Sequence, residues 1–86
     1  MVLDISIGPK ADRFLQGTDQ QSFDRLSRKI RELANKPHPR GARKIVGEEG
    51  VFRIRVGVHR ILYSLENRDQ TLLILNIDNR SRVYKR

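Results

Sequence analysis

Apolar residues recur along this chain with two different periods, and the change of period divides it into a helical first half and a strand-rich second half. Val2, Ile5 and Ile7 are mixed among polar residues in a β-rich stretch, which predicts a first strand over 2–7. Gly8-Pro9 breaks it, and proline suits the first turn of a helix. A short helix is therefore predicted from Pro9 to Gln16, stopping at Gly17. Thr18-Asp19-Gln20-Gln21 reads as a capping box, threonine with glutamine three residues on. The helix it opens runs to Asn35, because Phe23, Leu26, Ile30 and Leu33 are spaced 3, 4 and 3 and form one narrow stripe. Arg25, Arg28, Lys29 and Arg31 lie off that stripe.

Lys36-Pro37-His38-Pro39-Arg40-Gly41 cannot continue a helix and is read as a loop. Beyond it the pattern becomes that of antiparallel strands. A short strand is predicted over Lys44 to Val46, a turn at Gly47–Gly50, and strands over Val51 to Val56 and His59 to Leu65 with a break at Gly57. Glu66 to Gln70 is a polar turn. Leu72 to Ile77 is largely apolar and reads as a central strand, and Val83-Tyr84 is a candidate for closing the sheet. The order β-α-α-β-β-β-β predicts an α+β fold: an N-terminal strand, a helical hairpin, then a mostly antiparallel sheet of about four strands, with the hairpin covering one face. Residues 1–86 are read as one domain, since so short a chain supports one core.

Charge changes this picture. Against 18 Lys and Arg stand 10 Asp and Glu, a formal net charge of +8. Residues 1–43 and residues 44–86 each hold nine basic and five acidic side chains, so the excess belongs to the fold and not to a tail. Such a balance favours anionic partners. With no cysteine, disulfides, thiolate metal sites and thiol nucleophiles are all excluded. The first residues lack the basic start and long apolar core of a signal peptide, and no apolar run approaches the roughly 20 residues that span a bilayer. The expectation is a cytoplasmic protein with no membrane partner.

In the strand Val51 to Val56, side chains alternate between faces. Phe52, Ile54 and Val56 point one way, as core. Arg53 and Arg55 point the other way, roughly 6–7 Å apart. Arg60 follows on the next strand, and Arg80, Arg82 and Tyr84 follow the last long one. If these strands are neighbours, their basic side chains converge. Guanidinium groups bind phosphate bidentately, and a tyrosine stacks on an unpaired base. The competing reading is a solvated sheet face. His38 and His59, 21 residues apart, lack metal-ligand spacing, and no serine sits in a nucleophile-elbow context. Glu48 and Glu49 are adjacent in a turn and would repel phosphate.

Four segments together resemble the core of the RelE/ParE toxin superfamily. They are Lys44-Ile-Val-Gly47, Val51-Phe-Arg-Ile-Arg-Val-Gly57, His59-Arg-Ile-Leu-Tyr63 and Ile74-Leu-Asn-Ile-Asp-Asn-Arg-Ser-Arg-Val-Tyr-Lys85. The combination R-x-R-x-G, R-x-x-Y and R-x-x-x-Y at these spacings carries the likeness, which is to the RelE-like branch and spans essentially the whole chain. The resemblance implies a microbial-RNase-like fold and a toxin of a type II toxin–antitoxin system. Its implied partners are a RelB-like antitoxin, messenger RNA and the ribosome. The implied activity is metal-independent endonucleolytic cleavage of mRNA in the ribosomal A site, with no cofactor. The implied catalytic residues are Arg53, Arg55, Arg60, Arg80 and Tyr84. Arg43, Lys44, Arg82 and Lys85 are expected to bind RNA.

This chain departs from the family pattern at Val58, His59 and Asn79, and has arginines where some members carry lysines at Arg53 and Arg55. Arginine effectively never gives up its proton, so the general base stays open, with Lys44 and Tyr84 as candidates. Two other readings of the same resemblance are a ParE-like inhibitor of DNA gyrase and a catalytically silent antitoxin-binding relative.

Overall fold

The structure is a computed structural model that describes residues 2–66, 68 and 70–79. Strand β1 is Asp4–Ile7, helix α1 is Pro9–Gly17 and helix α2 is Gln20–Asn35. Strands β2 to β5 follow as Arg43–Lys44, Val51–Val56, His59–Glu66 and Thr71–Asn79. The predicted order of elements is the one observed, and the fold is α+β. The two-residue β2 starts and ends earlier than expected. The candidate strand at Val83-Tyr84 lies outside the described residues.

Helix α1 starts as expected, with Gly8 as N-cap and Pro9 in the first turn. Gly8 is there for a close approach: its N–H donates to the carbonyl of Ile74 at 2.8 Å, and a Cβ would stand 3.0 Å from that same oxygen. The start of α2 differs from the capping box read at Thr18. Asp19 is the N-cap, and its carboxylate accepts from the Ser22 N–H at 3.1 Å. Hydrogen bonding from the Ser22 side chain first, and from its N–H second, holds the Asp19 carboxyl below its usual pKa. Aspartate outranks threonine as an N-cap, so the neighbouring cap wins.

All five strands form one sheet, in the order β1-β5-β4-β3-β2. β1 lies parallel to β5, and every other pair is antiparallel. The centre of the sheet is therefore β4, not the apolar strand β5, which lies one place in from the edge. The register explains why β5 reads as so apolar. Leu62 faces Asn76 whereas Tyr63 faces Ile74, leaving Leu75 as an extra residue in a bulge. That insertion puts both Ile74 and Ile77 on the core face, although three residues apart they would otherwise point to opposite faces. The β3–β4 connection is the two-residue turn Gly57-Val58. With φ +62 at Gly57 and no positive φ at Val58, it fits the hairpin turn that places glycine first.

The helices cover one face only. Leu26, Ile30 and Leu33 of α2 and Ala11 of α1 are buried with Ile54, Val56, Ile61, Tyr63, Leu72, Ile74 and Ile77 of the sheet. Burying each large apolar side chain is worth about 1.5–3 kcal/mol. Phe23, read as part of the α2 stripe, is instead 39% exposed at the helix start. An aromatic column ties the proline loop to this core. The His38 ring meets Phe52 edge-on at 5.0 Å, Phe52 stacks on Tyr63 at 5.6 Å, and the Tyr63 hydroxyl donates to the Pro37 carbonyl at 2.9 Å. His38 is thus packed against a ring at the edge of the sheet, and His59 meets Phe14 at 5.3 Å on the helical side, facing away from its neighbour Arg60.

Burial pushes the Tyr63 hydroxyl up from 10.0 to about 12, and donation to Pro37 also favours the protonated form. The folded state thus keeps this proton where the unfolded chain loses it. Its contribution is complete below pH 10 and disappears as pH rises toward about 12. We expect stability to fall over that window by at most roughly 1.4 kcal/mol per pH unit, with a smaller fall in Tyr63→Phe. Urea unfolding at pH 9, 10, 11 and 12 checks this; equal slopes for the two proteins would refute it.

Candidate nucleic-acid interface

The face of the sheet away from the helices carries two cross-strand rows. Arg43 faces Arg53, Arg53 faces Leu62 and Leu62 faces Asn76; in the second row Arg55 faces Arg60 and Arg60 faces Asp78. Neighbouring strands lie about 4.8 Å apart, and residues two apart along a strand roughly 6–7 Å. Arg43, Arg53, Arg55 and Arg60 therefore form a compact block on β2, β3 and β4. Because β2 is two residues long and β3 six, the sheet has an open notch beside the second half of β3.

A cleft of about 440 Å³ occupies that notch. Its lining includes Lys29, Arg40, Arg43, Arg53, Arg55 and Arg60, with Gly41 and Ile54 and no acidic residue. Three elements supply these cations: α2 gives Lys29, the proline loop gives Arg40, and the sheet gives the rest. Lys29 also meets Glu32 at 3.1 Å on the helix surface, an exposed contact worth only a few tenths of a kcal/mol, about 0.3–0.5. Arg60 is only 8% exposed, so its stem is packed among the strands and its position is held by the sheet.

Two of the pairs in this block set arginine directly opposite arginine, Arg43 with Arg53 and Arg55 with Arg60. Like charges at such positions destabilise a sheet by roughly 0.2–1 kcal/mol each. A merely solvated sheet face would interleave signs. Here repulsion is tolerated where the strands present a concave surface, which is how a site for an anion looks.

Of the residues expected from sequence, Arg43, Arg53, Arg55 and Arg60 are brought together. Lys44 is not among them. It faces Phe52 across β2–β3, on the other side of the sheet, and lines a separate shallow depression with Val46 and Glu48. Arg80, Arg82, Tyr84 and Lys85 lie outside the described residues. Lys29 and Arg40 were not singled out from the sequence as site residues. The notch that joins them exists only because β2 stops short. Among the described residues no three His, Cys, Asp or Glu side chains are grouped to hold a metal ion, and no described helix is long and apolar enough to cross a membrane.

The geometry agrees with comparisons to other proteins. Residues 7–84 match the family model of the ParE toxin of type II toxin–antitoxin systems, parDE. A chain of the archaeal RelE–RelB complex from Pyrococcus horikoshii OT3 superposes with a TM-score of 0.82 at 25% identity, covering 95% of this chain and 99% of that one. A chain of the Mycobacterium tuberculosis RelBE2 toxin–antitoxin complex gives 0.79 at 23% identity, covering 94% of each. The isolated E. coli RelE toxin gives 0.80 at 16% identity, covering 95% of this chain and 90% of that one, a likeness of fold alone. No curated protein matches the sequence. With nearly its whole length inside the family model and its sheet, helices and topology shared with RelE, the chain belongs to the ParE toxin family of type II toxin–antitoxin systems, as a RelE-like member of the RelE/ParE superfamily.

Proposed function

We propose that the protein is an endoribonuclease that cleaves messenger RNA in the ribosomal A site, and that a RelB-like antitoxin restrains it. The observation that carries this reading is the block of facing arginines around an acid-free cleft, a surface that costs stability and suits a polyanion. In the proposed reaction the ribose 2′-oxygen loses its proton and attacks the adjacent phosphorus. The bond from phosphorus to the 5′-oxygen breaks, and that oxygen takes up a proton. The products are a 2′,3′-cyclic phosphate and a free 5′-hydroxyl.

Negative charge gathers on the phosphoryl oxygens in the transition state, and preplaced guanidinium groups of Arg53, Arg55 and Arg60 stabilise it there without reorganising. Holding the 2′-oxygen in line with the leaving oxygen supplies the rest of the effect assigned to the protein. By family likeness Arg80 joins this set and Tyr84 stacks on the displaced nucleotide, while Arg43, Arg82 and Lys85 bind flanking phosphates. Lys44 and Tyr84 are the candidates for the proton acceptor, and the position of Lys44 on the opposite face of the sheet counts against Lys44. The RelE–RelB complexes among the structural relatives support an antitoxin partner for this chain.

Toeprinting on programmed ribosomes with an empty A site tests the proposal. The wild type is expected to cut within the A-site codon, and Arg55→Ala and Arg80→Ala to slow that cut by roughly 100-fold or more. A wild type that leaves the message intact would sink it. The match to a ParE model favours one other reading, inhibition of DNA gyrase, for which gyrase-dependent DNA breakage would then be the assay. Absence of both activities would leave an antitoxin-binding relative without catalysis.

A further inference from the structure

Beside the basic cleft, on the same open face of the sheet, lies a second and smaller hollow of about 230 Å³. Its walls are Ile45 and Leu62, Asn76 and Asp78 stand on its β5 side, and Arg53 and Arg60 are common to it and the cleft. We infer that this hollow is a nucleobase slot, in which Asn76 and Asp78 read the Watson–Crick edge of one unpaired base, with preference for guanine. The inference rests on the reading of the adjacent cleft as an RNA phosphate site.

The two hollows divide the face by chemistry. Across the sheet the rows run from Arg43 and Arg53 to Leu62 and Asn76, and from Arg55 and Arg60 to Asp78. Charge therefore falls from strongly positive at β2 and β3 to a carboxylate at β5, with apolar Leu62 in the middle of the first row and Arg60 in the middle of the second. A phosphate is drawn to the first side and repelled from the last. An aromatic base is the reverse: it has a flat apolar face suited to Ile45 and Leu62, and edge groups that need partners. Small-molecule sites are commonly apolar hollows with a few placed polar groups. At about 230 Å³ this one falls short of the roughly 300–1,000 Å³ of sites for drug-sized ligands, and suits a single ring system.

The sharing of Arg53 and Arg60 fixes the distance between the two functions. A phosphate held by those guanidiniums and a base seated against Leu62 are one residue position apart on the sheet, roughly 5–7 Å, which is within one nucleotide. Leu62 faces both Arg53 and Asn76 in register, so the slot floor lies in line with the cleft.

The choice of base follows from what the polar groups accept. A carboxylate accepts only, at about four lone-pair positions. Asp78 faces Arg60 and its Oδ1 already accepts from the Asn79 N–H at 2.8 Å, so a base draws on the lone pairs left beside these contacts. Guanine alone offers two adjacent donors on its pairing edge, N1–H and the N2 amino group, and a carboxylate takes both side by side. Uracil offers one N–H between two carbonyl oxygens, which the carboxylate repels. The Asn76 amide presents both a donor and an acceptor and suits the neighbouring O6 of guanine.

Fluorescence anisotropy with 2′-O-methyl hexanucleotides, which cannot be cut, tests the inference on the full chain. The probes are a uridine hexamer, the same hexamer with guanosine at position three, and one with inosine there, which lacks the N2 amino group. The wild type is expected to bind the guanosine hexamer about tenfold more tightly than the uridine hexamer, with inosine between them. In Asp78→Asn that preference falls to near unity while affinity for the uridine hexamer stays the same or rises; Asn76→Ala lowers the preference without disturbing the residue opposite Arg60. Equal binding of all three probes by the wild type, or a guanosine preference unchanged in both variants, would overturn the slot and leave the phosphate site standing. Failure of every probe to bind, or binding that does not weaken with salt, would overturn the RNA reading itself and the slot with it.

Discussion

Replacing Arg60 by glutamine is expected to slow RNA cleavage by roughly 100- to 1,000-fold while shifting stability by no more than about 1 kcal/mol. The size of the first effect follows from position. Arg60 lies on the central strand, 8% exposed, and borders both the basic cleft and the hollow beside it. In the proposed reaction its guanidinium is held where charge develops, and losing one such preplaced group costs about 2.7–4 kcal/mol of transition-state stabilisation. The small second effect is a balance. Removing the charge relieves the repulsion from Arg55 opposite, and withdraws a favourable neighbour from Asp78 on the other side. Glutamine keeps a long stem and hydrogen-bonding groups, so the packing is little changed. Single-turnover cleavage and urea unfolding, measured on the same preparation, check both halves. Cleavage within tenfold of wild type would remove Arg60 from the reaction, and a collapse of stability would make it a structural residue.

Tyr63→Ala should cost about 3–5 kcal/mol, enough to leave a domain of ordinary stability near its threshold. The ring is wholly buried, stacks on Phe52 and is among the largest side chains of the core. Tyr63→Phe is the more informative change. It keeps the ring and strands the Pro37 carbonyl, at a cost of roughly 1–3 kcal/mol. That carbonyl belongs to the loop that carries Arg40 and leads into Arg43, so the variant should loosen one wall of the cleft before it loosens the core. Amide exchange gives the readout: the Ala42 N–H, which donates to the Pro39 carbonyl at 3.1 Å, should exchange faster in Tyr63→Phe while the N–H groups of β5 keep their relative protection. Uniform acceleration at both places would mean that the hydroxyl serves global stability alone.

These two cases show what a linear reading of the chain reaches. The alternation of Phe52, Ile54 and Val56 with Arg53 and Arg55 is local, and β3 has the bounds it predicts. The end of α2 at Asn35, before a loop with two prolines, is equally local. What escapes is whatever depends on distant partners. The bulge opposite Leu62 makes β5 look like a central strand, and only the register with β4 shows why. Lys29 reads as one more charge off the apolar stripe of α2 until a short β2 opens the notch it lines. Thr18 and Asp19 offer competing caps one residue apart, and the pattern T-x-x-Q favours the wrong one. The facing of Arg55 and Arg60 needs nothing but the two-residue turn at Gly57-Val58, which makes this the one tertiary feature of the site legible from sequence.

The parallel seating of β1 against β5 bears on how the molecule is made. The strands β3, β4 and β5 join through short connections, so their contacts form between near neighbours in the chain. β1 has no such neighbour: Asp4 waits for Thr71 and Ile7 for Ile74. Contacts of that separation are slow to form, because a long loop must be closed before they return anything. The arginine face is thus built from the fastest-forming part of the sheet, and its parallel edge, whose four residues stay exposed, from its slowest. A nascent chain carries its N-terminal strand, Ile5 and Ile7 included, unpaired until nearly all of the described sheet has been synthesised. The order of assembly is written into the strand order, with the arginine face first and the parallel edge strand last.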